Sequence, residues 1–177
     1  MKLVVLDRDG TINHDSDKYI KSPAEWKPIK GSLEAIARLT QAGFRIVVAT
    51  NQSGIARGLF DMATLNAIHD TMHRAVHQSG GRIDAIFFCP HAADAGCGCR
   101  KPKPGMLLEI AERMNVDLAH VPMVGDSRKD IEAAAAAGAR PVLVLTGNGR
   151  KTADAGNLPE GTEMHADLAA FAAKLAP

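Results

Sequence analysis

A short apolar run near the N-terminus ends in two acidic residues, and this junction constrains the fold more than any other stretch. The run Leu3–Leu6 has the length and composition of a buried strand, and Asp7 and Asp9 follow it at once. In open α/β sheets, ligands bind outside the carboxyl ends of the strands. Two carboxylates there can hold a divalent cation, or one can act as a nucleophile while the other transfers a proton. Asp-x-Asp is also a common turn, so the interpretation depends on the rest of the chain.

The size and charge of the chain exclude several classes of partner. With 177 residues, of which 46% are hydrophobic and 23% charged, it is long enough for one domain with a substantial core. We therefore expect residues 1–177 to form a single, monomeric domain. The formal net charge of +1 provides no long-range attraction to nucleic acid or to a membrane. No apolar run approaches the length of a transmembrane helix, and the N-terminus lacks a signal-peptide pattern, which predicts a cytoplasmic protein.

Apolar runs alternate with amphipathic segments along the chain. This alternation predicts a three-layer α/β fold, in which a Rossmann-like parallel sheet lies between helices. The polar stretch 13–28 is too short for a separate cap domain, and we expect a loop over the mouth of a site. The Gly- and Asn-rich segment 146–161 predicts a mobile loop, and 166–175 a terminal helix. The five predicted strands are Leu3–Leu6, Phe44–Ala49, Ile83–Phe88, Val121–Val124 and Pro141–Leu145.

Polar residues follow four of these five strands. Asp7 and Asp9 follow the first strand, and Thr50 follows the second. Asp126 follows the fourth, and a cysteine-rich loop that leads to Lys101 follows the third. Because the carboxyl ends of parallel strands share one edge of the sheet, we expect these groups to converge.

Three histidines recur at every fourth position of a predicted long helix, at His69, His73 and His77. Such a row could bind a metal ion, but no cluster of carboxylates or cysteines accompanies it. We therefore interpret the row as a solvated helix face.

All three cysteines of the chain lie close together, in a segment that also contains a histidine. Clustered cysteines in a reduced compartment favour a metal site over a disulfide framework. Three thiolates and one imidazole complete a tetrahedral zinc site with no open position, the pattern of a structural zinc. The intervening residues 92–96 carry little apolar bulk, so the metal would order the loop. We predict a zinc-binding loop at 89–99 with Cys89, His91, Cys97 and Cys99 as ligands.

Two basic residues, Arg100 and Lys101, follow the last predicted zinc ligand, and Pro102 and Pro104 stiffen the segment that carries them. A loop ordered by zinc would therefore aim both cations at a fixed point. Arginine binds phosphoryl oxygens in a bidentate manner, and lysine binds them as a point charge. A solvated basic patch is the alternative interpretation.

Taken in order, four motifs resemble the haloacid dehalogenase (HAD) phosphatase superfamily. They are Asp7-Arg8-Asp9-Gly10-Thr11, Thr50-Asn51, Lys101, and Gly125-Asp126 with Asp130. The match covers nearly the whole chain, and the four motifs in this order are highly specific, whereas any one of them would not be.

The resemblance implies a role for each motif residue. Asp7 would be the nucleophile that becomes an aspartyl phosphate, and Asp9 would protonate the leaving oxygen and then activate water. Thr50 and Lys101 would stabilise the transferring phosphoryl group. Mg²⁺ would be held by Asp7, Asp126 and the main-chain carbonyl of Asp9. Substrate contacts would come from Arg100, at the distal part of the substrate, and from Asp15, Lys18, Tyr19, Asn51, Gln52 and Ser53.

The zinc loop and the missing cap domain narrow the resemblance to the branch that contains heptose bisphosphate and histidinol-phosphate phosphatases. Thr50–Gly58 and Cys99–Met106 are similar to the heptose enzymes, whereas the short gap between His91 and Cys97 is closer to the histidinol-phosphate enzymes. The resemblance implies Mg²⁺-dependent removal of the 7-phosphate from a small sugar phosphate, D-glycero-D-manno-heptose 1,7-bisphosphate, in ADP-heptose synthesis for lipopolysaccharide.

Three alternatives remain beside the heptose substrate. Hydrolysis of histidinol phosphate would keep the same mechanism. A nucleic-acid 3′-phosphatase is disfavoured by the near-neutral charge. A non-catalytic binding module built on the zinc loop is disfavoured by the intact motifs.

Overall fold

The computed structural model describes all 177 residues, and one parallel sheet organises them. The strands are β1 (Leu3–Leu6), β2 (Arg45–Asn51), β3 (Ala85–Cys89), β4 (Pro122–Gly125), β5 (Arg140–Val144) and β6 (Glu163–His165). They lie in the order β3-β2-β1-β4-β5-β6, and all neighbouring pairs are parallel. The helices are α1 (Ser32–Gln41), α2 (Met62–Gln78), α3 (Gly105–Met114), α4 (Arg128–Ala137), α5 (Gly149–Ala155) and α6 (Leu168–Leu175). The predicted α/β class is confirmed.

Apolar side chains fill both faces of the sheet. One cluster packs α1, α2 and α6 against the first face and includes Val4 and Phe171. A second cluster packs α3 and α4 against the other face and includes Val5 and Ile110. Because successive side chains of a strand point to opposite faces, β1 contributes to both clusters. A strand buried on both faces needs a continuous apolar run, which is why this segment was recognisable in the sequence.

Local signals set the beginnings of the helices that surround the site. The carboxylate of Asp61 accepts a hydrogen bond from the backbone N–H of Thr64 at 2.8 Å and caps α2. A capping box begins α4, in which Ser127 and Asp130 exchange hydrogen bonds between side chain and backbone. Since Ser127 directly follows Asp126, this box also fixes the turn that leaves β4.

The structure differs from the prediction in the last third of the chain. The segment 146–161 was predicted to be a mobile loop, but it contains α5. A sixth strand, β6, pairs with β5 where no strand was predicted. Three residues are too few for a recognisable alternation, so the pairing with β5 decides this strand rather than its own pattern. β2 also extends two residues beyond the predicted end and includes Thr50 and Asn51.

The polar strand ends meet at the centre of the sheet. From β1 the chain adds β2 and β3 on one side and β4, β5 and β6 on the other, so the topological switch point lies between β1 and β4. Ligand sites of open α/β sheets lie outside the carboxyl ends of the strands at such a point. The residues that follow β1, β2 and β4 are therefore placed side by side, as predicted.

The segment 13–28 is anchored to the body of the protein. Asn13 forms backbone bridges with Asp9 and with Pro28, and the side chains of Ile20 and Trp26 are buried in the first apolar cluster. Tyr19 lies between these anchors with a φ of 66°, a left-handed conformation that is uncommon for a residue other than glycine. None of the helices is long and apolar enough to cross a membrane.

Candidate active site

Asp7 leaves the end of β1 and faces the ammonium group of Lys101. Nζ of Lys101 donates to Oδ1 of Asp7 at 2.8 Å, to Oδ1 of Asp130 at 2.6 Å and to the carbonyl oxygen of Ala49 at 2.7 Å. Burial alone would lower the pKa of Lys101, but the carboxylates of Asp130 and Asp7 outweigh it and raise this pKa. Lys101 is therefore a fixed positive charge beside Asp7.

Asn51, at the end of β2, holds the backbone of Lys101 in place. Its Nδ2 donates to the carbonyl oxygen of Lys101 at 3.0 Å, and the backbone N–H of Lys101 donates to Oδ1 of Asn51 at 3.1 Å. This reciprocal pair joins the basic segment to the sheet. Asn51 was predicted to be a substrate contact, and its side chain also positions Lys101.

Three carboxylates are crowded together at the end of β1 and β4. Oxygens of Asp7, Asp126 and Asp130 all lie within 4.8 Å of one another. Burial, followed by repulsion from Asp130, raises the pKa of Asp7 well above its ordinary value. The same two causes raise the pKa of Asp126 to about 7. A bound cation would offset this repulsion and favour the ionised carboxylates.

The hydrogen bonds leave a matching set of oxygens free for such a cation. Asp130 uses Oδ1 for Lys101 and Oδ2 for the backbone N–H and hydroxyl of Ser127. In contrast, Oδ2 of Asp7, Oδ1 of Asp126 and the main-chain oxygen of Asp9 accept no hydrogen bond from the protein. Hard cations such as Mg²⁺ prefer oxygen ligands of this kind. The free oxygens belong to the three residues predicted to hold magnesium.

The carboxylate of Asp9 accepts four hydrogen bonds. Nε and Nη2 of Arg8 donate to its two oxygens at 2.9 and 3.1 Å. Nδ2 of Asn13 and Nε2 of Gln52 donate at 2.9 and 3.1 Å. Burial would raise the pKa of Asp9, but the charge of Arg8 and these hydrogen bonds outweigh it and lower the pKa. The carboxylate is therefore held in one orientation at the wall of the site.

The prediction of a solvated histidine face is wrong for His69. His73 and His77 are exposed, but His69 is only 7% exposed, and its Nε2 lies 3.1 Å from Nη1 of Arg8. Burial, and then the charge of Arg8, lower the pKa of His69 to about 3, so its ring is neutral at neutral pH. The helical period correctly placed three histidines on one side of α2, but it could not show that the first one reaches Arg8.

An open cavity of about 310 Å³ lies at the carboxyl edge of the sheet. Lys18 is the one predicted substrate contact that does not line it, and its side chain is exposed. The predicted residues that do line it are Asp7, Asp9, Asp15, Tyr19, Thr50, Asn51, Gln52, Ser53, Arg100, Lys101 and Asp126.

Six further residues line the cavity without having been predicted to bind substrate: Ser16, Ile20, Ser127, Lys129, Asp130 and Asn148. Asn148 is the most informative, because its backbone N–H donates to Oδ2 of Asp126 at 2.7 Å. Thr152 supports the same residue, since its hydroxyl donates to the carbonyl oxygen of Asp126 at 3.0 Å. No local pattern in the segment 146–161 indicates these contacts, because they join residues more than twenty positions apart.

The cysteine-rich loop brings its four predicted zinc ligands together. Nδ1 of His91 lies 3.4 Å from Sγ of Cys89 and 3.3 Å from Sγ of Cys99. Sγ of Cys89 lies 3.7 Å from Sγ of Cys97 and 3.1 Å from Sγ of Cys99. Ligands around a tetrahedral zinc are separated by about 3.5–3.8 Å, which follows from the usual bond lengths. Burial and the neighbouring thiols raise the pKa of Cys89 to about 12, so a metal ion would be needed to hold it as a thiolate.

Comparison with known protein sequences agrees with this geometry. Residues 98–171 match the family model described as HAD-hydrolase-like. The D-glycero-β-D-manno-heptose-1,7-bisphosphate 7-phosphatase of Bordetella bronchiseptica is 65% identical over 175 residues, which are 99% of this chain and 98% of that protein. The phosphatase of the same name from Pseudomonas aeruginosa is 56% identical over 173 residues, which are 98% and 97% of the two chains.

Solved structures extend the comparison to three dimensions. The crystal structure of D,D-heptose 1,7-bisphosphate phosphatase from B. bronchiseptica, complexed with magnesium and phosphate, superposes with a TM-score of 0.98 over 99% of this chain and 98% of that one. The corresponding phosphatase from Burkholderia thailandensis is 56% identical and has a TM-score of 0.80, over 99% and 98% of the chains. The chain therefore belongs to the HAD-like family of phosphatases, the phosphoric monoester hydrolases of which these relatives are members.

Proposed function

We propose that this protein is a Mg²⁺-dependent phosphatase that removes the 7-phosphate from D-glycero-β-D-manno-heptose 1,7-bisphosphate, in the synthesis of ADP-heptose for lipopolysaccharide. One observation carries the proposal. Asp7, Lys101 and Asp126 are grouped at the floor of an open polar cavity, in a chain 65% identical over nearly its whole length to a phosphatase named for that substrate.

In the first step, the carboxylate of Asp7 attacks the 7-phosphorus, the bond to the sugar oxygen breaks, and an aspartyl phosphate forms. Phosphoryl transfer depends on positioning and on neutralising the charge of the phosphoryl oxygens. Lys101 and the hydroxyl of Thr50 line the cavity beside Asp7 and supply these interactions. Mg²⁺, held by Asp7, Asp126 and the main-chain carbonyl of Asp9, would add positive charge at the phosphate.

Asp9 serves both steps as the proton carrier. The negative charge of the phosphate bound in the cavity opposes that of Arg8 and favours the protonated form of Asp9. Asp9 then gives its proton to the departing sugar oxygen and is left as a carboxylate. In the second step it takes a proton from a water molecule, whose oxygen attacks the aspartyl phosphate. Inorganic phosphate leaves, and Asp7 is regenerated as a carboxylate.

The rest of the cavity holds the distal part of the sugar. Arg100 lines the cavity and can meet the second phosphate, and the lining also includes Asp15 and Tyr19 of the anchored segment 13–28, Gln52 and Ser53. Lys18 sits in the same segment but outside the cavity wall, so a contact from it would require its flexible side chain to turn inward.

The zinc loop has a structural part in this proposal. Zn²⁺ bound by Cys89, His91, Cys97 and Cys99 would order the turn that delivers Arg100 and Lys101 to the site. Three free thiols in such a site are stable in a reducing compartment, which supports a cytoplasmic location. We further propose that residues 1–177 act as one monomeric domain, because a single chain supplies every residue that lines the cavity.

The test is phosphate release from heptose 1,7-bisphosphate and from histidinol phosphate, each with and without Mg²⁺. We expect Mg²⁺-dependent turnover with a large preference for the heptose in kcat/KM, and phosphorus NMR should show that the product keeps its 1-phosphate. A preference for histidinol phosphate would contradict the proposed substrate while leaving the phosphatase family intact. Loss of the 1-phosphate would contradict the proposed position of cleavage.

A further inference from the structure

We propose that Arg8 and His69 are positioning residues, which form a buried relay that orients the carboxylate of Asp9 for proton transfer. The proposal rests on the proposed function in one respect, since it takes Asp9 as the group that protonates the leaving oxygen. It adds two residues that do not line the cavity.

Arg8 is the residue between the two aspartates, and its side chain points into the protein. It is fully buried, with 0% of its surface exposed. Burying an arginine is costly unless its charge is paired and its N–H groups are hydrogen-bonded. Asp9 supplies the paired charge, because Nε and Nη2 of Arg8 reach its two carboxylate oxygens at 2.9 and 3.1 Å.

This contact has the geometry that fixes a carboxylate plane. Two parallel N–H···O bonds from one planar guanidinium define both the position and the rotation of the carboxylate. Asp7 has a different cation, since Lys101 donates to it. The two aspartates of the motif are thus held by separate positive charges, Asp7 by Lys101 and Asp9 by Arg8.

His69 in turn orients the guanidinium from the far side. Its Nε2 lies 3.1 Å from Nη1 of Arg8, and the pair is buried. A guanidinium has donors only, so Nε2 of His69 must be the acceptor and the ring proton must lie on Nδ1. His69 therefore holds Nη1, the guanidinium nitrogen that does not contact Asp9.

The order of contacts is His69 to Arg8 to Asp9, and it leads from α2 through the buried interior to the wall of the cavity. Asn13 and Gln52 complete the shell around Asp9. Without the acceptor at His69, the guanidinium could rotate and carry Asp9 with it. A small displacement of a catalytic group is expected to cost up to about 100-fold in rate.

The leaving group provides a measurement that separates positioning from general support of the fold. A sugar alkoxide needs a proton as it departs, whereas p-nitrophenolate is a weak base and departs without one. A misoriented Asp9 should therefore slow cleavage of a sugar phosphate more than cleavage of p-nitrophenyl phosphate. The relevant constant is kcat/KM, because it reports formation of the aspartyl phosphate and not its later hydrolysis.

The experiment compares His69→Leu, which removes the acceptor, with His69→Gln, whose side-chain oxygen can replace Nε2. The matched control is His73→Leu, one turn further along α2 and exposed. For His69→Leu we expect kcat/KM for heptose 1,7-bisphosphate to fall about 10- to 100-fold, with a much smaller change for p-nitrophenyl phosphate. His69→Gln should recover most of the loss, and His73→Leu should match the wild-type enzyme on both substrates.

Equal losses on the two substrates, or no loss, would overturn the proposal. If His69→Leu does not fold, Arg8→Lys decides the question, because lysine keeps the charge beside Asp9 but cannot hold both carboxylate oxygens at once. For this variant too, we expect kcat/KM to fall more for the heptose bisphosphate than for p-nitrophenyl phosphate. Should the wild-type enzyme fail to hydrolyse the heptose bisphosphate, the proposed function falls. The relay is then tested by comparing the losses in kcat/KM for phenyl phosphate and for p-nitrophenyl phosphate, because phenolate is a more basic leaving group than p-nitrophenolate.

Discussion

At the scale of single residues, the site keeps two neighbouring carboxylates in different electrostatic surroundings. Burial and the nearby Asp130 raise the pKa of Asp7, whereas Arg8 and the hydrogen bonds from Asn13 and Gln52 lower the pKa of Asp9 despite its burial. Active sites commonly assign different roles to similar groups through such differences in environment. Here the carboxylate of Asp7 accepts a hydrogen bond from Lys101, whereas the carboxylate of Asp9 is paired with Arg8.

Replacing Asp7 by Asn separates the activity of this residue from its effect on stability. An amide cannot attack phosphorus, so we expect Asp7→Asn to lose at least about 10³-fold in kcat. The pKa of Asp7 is higher in the folded protein than in the unfolded chain, so the ionised carboxylate lowers the stability of the folded protein at neutral pH. The neutral variant should therefore unfold at a temperature equal to or above that of the wild type.

Thermal unfolding in the presence of a chelator, together with phosphate release in Mg²⁺, tests both parts of this prediction. Near-normal turnover would exclude Asp7 as the nucleophile. A clear loss of thermal stability would show that its pairing with Lys101 outweighs the repulsion from Asp126 and Asp130.

At the scale of elements, we expect the loop 89–99 to depend on a metal for its order. It contains no regular structure after Cys89 and contributes no residue to either apolar cluster. Two basic residues of the site follow it directly, so disorder in the loop would reach Lys101. The predicted zinc would therefore affect catalysis by fixing the backbone that carries Lys101, and it would take no part in the reaction itself.

Metal analysis should find about one zinc per chain, and Cys97→Ser should lower the zinc content and kcat/KM together. Asp94→Ala changes an exposed residue of the same loop that is not a predicted ligand, and it should keep both. Limited proteolysis should cleave the loop of the Cys97 variant faster than that of the Asp94 variant. A zinc-free protein with full activity and a protected loop would contradict a structural zinc.

The N-terminal cap of α2 provides a pH-dependent test at the same scale. The backbone N–H of Thr64, and then its hydroxyl, donate to the carboxylate of Asp61 and lower its pKa. A lowered folded-state pKa means that the stabilisation is present above the ordinary pKa of an aspartate and disappears as the pH falls through the lowered value.

We therefore expect Asp61→Ala to lower the unfolding temperature at pH 7, and to lower it less at about pH 3. Circular dichroism at the two pH values measures both differences. Asn66→Ala, which changes an exposed residue of the same helix that has no ionisable group, should cause no such pH-dependent loss. If the unfolding temperature of the Asp61 variant fell further below that of the wild type towards low pH, the capping role would be contradicted.

At the scale of the whole molecule, we expect the stability of the core and the chemistry of the site to be separable. Phe171 of α6 is 2% exposed in the cluster on one face of the sheet and does not line the cavity. Phe171→Ala should cost about 3–5 kcal/mol, which lowers the unfolding temperature by about 10 °C in a domain of this size. Its kcat at 25 °C should be unchanged.

Leu108→Ala is the matched control, because Leu108 is 51% exposed on α3. Its free energy of unfolding should stay within about 0.5 kcal/mol of the wild type. If Phe171→Ala lost activity at a temperature where it remains folded, packing at α6 would have to be coupled to the strand ends.

Much of the fold followed from local patterns. The alternation of apolar runs and amphipathic helices predicted the α/β class, which is confirmed, and the motifs of Asp7, Thr50, Lys101 and Asp126 predicted the HAD family, which is also confirmed. Individual site residues stay predictions, although all of them except Lys18 lie at the cavity or in the zinc cluster. These features were recognisable because a strand, a turn or a ligand spacing involves residues close in sequence.

Other features were decided only by the tertiary structure. His69 meets Arg8 across 61 positions, Asp130 meets Lys101 across 29, and Asn148 meets Asp126 across 22. No period or spacing contains such pairs, because each depends on which strands become neighbours and which helix packs beneath them. The sequence alone therefore predicted which polar groups lie together at the strand ends. The packing of the sheet determined which cation faces each aspartate. A buried charge is costly unless an opposite charge lies next to it, and only the three-dimensional packing decides which charges become neighbours.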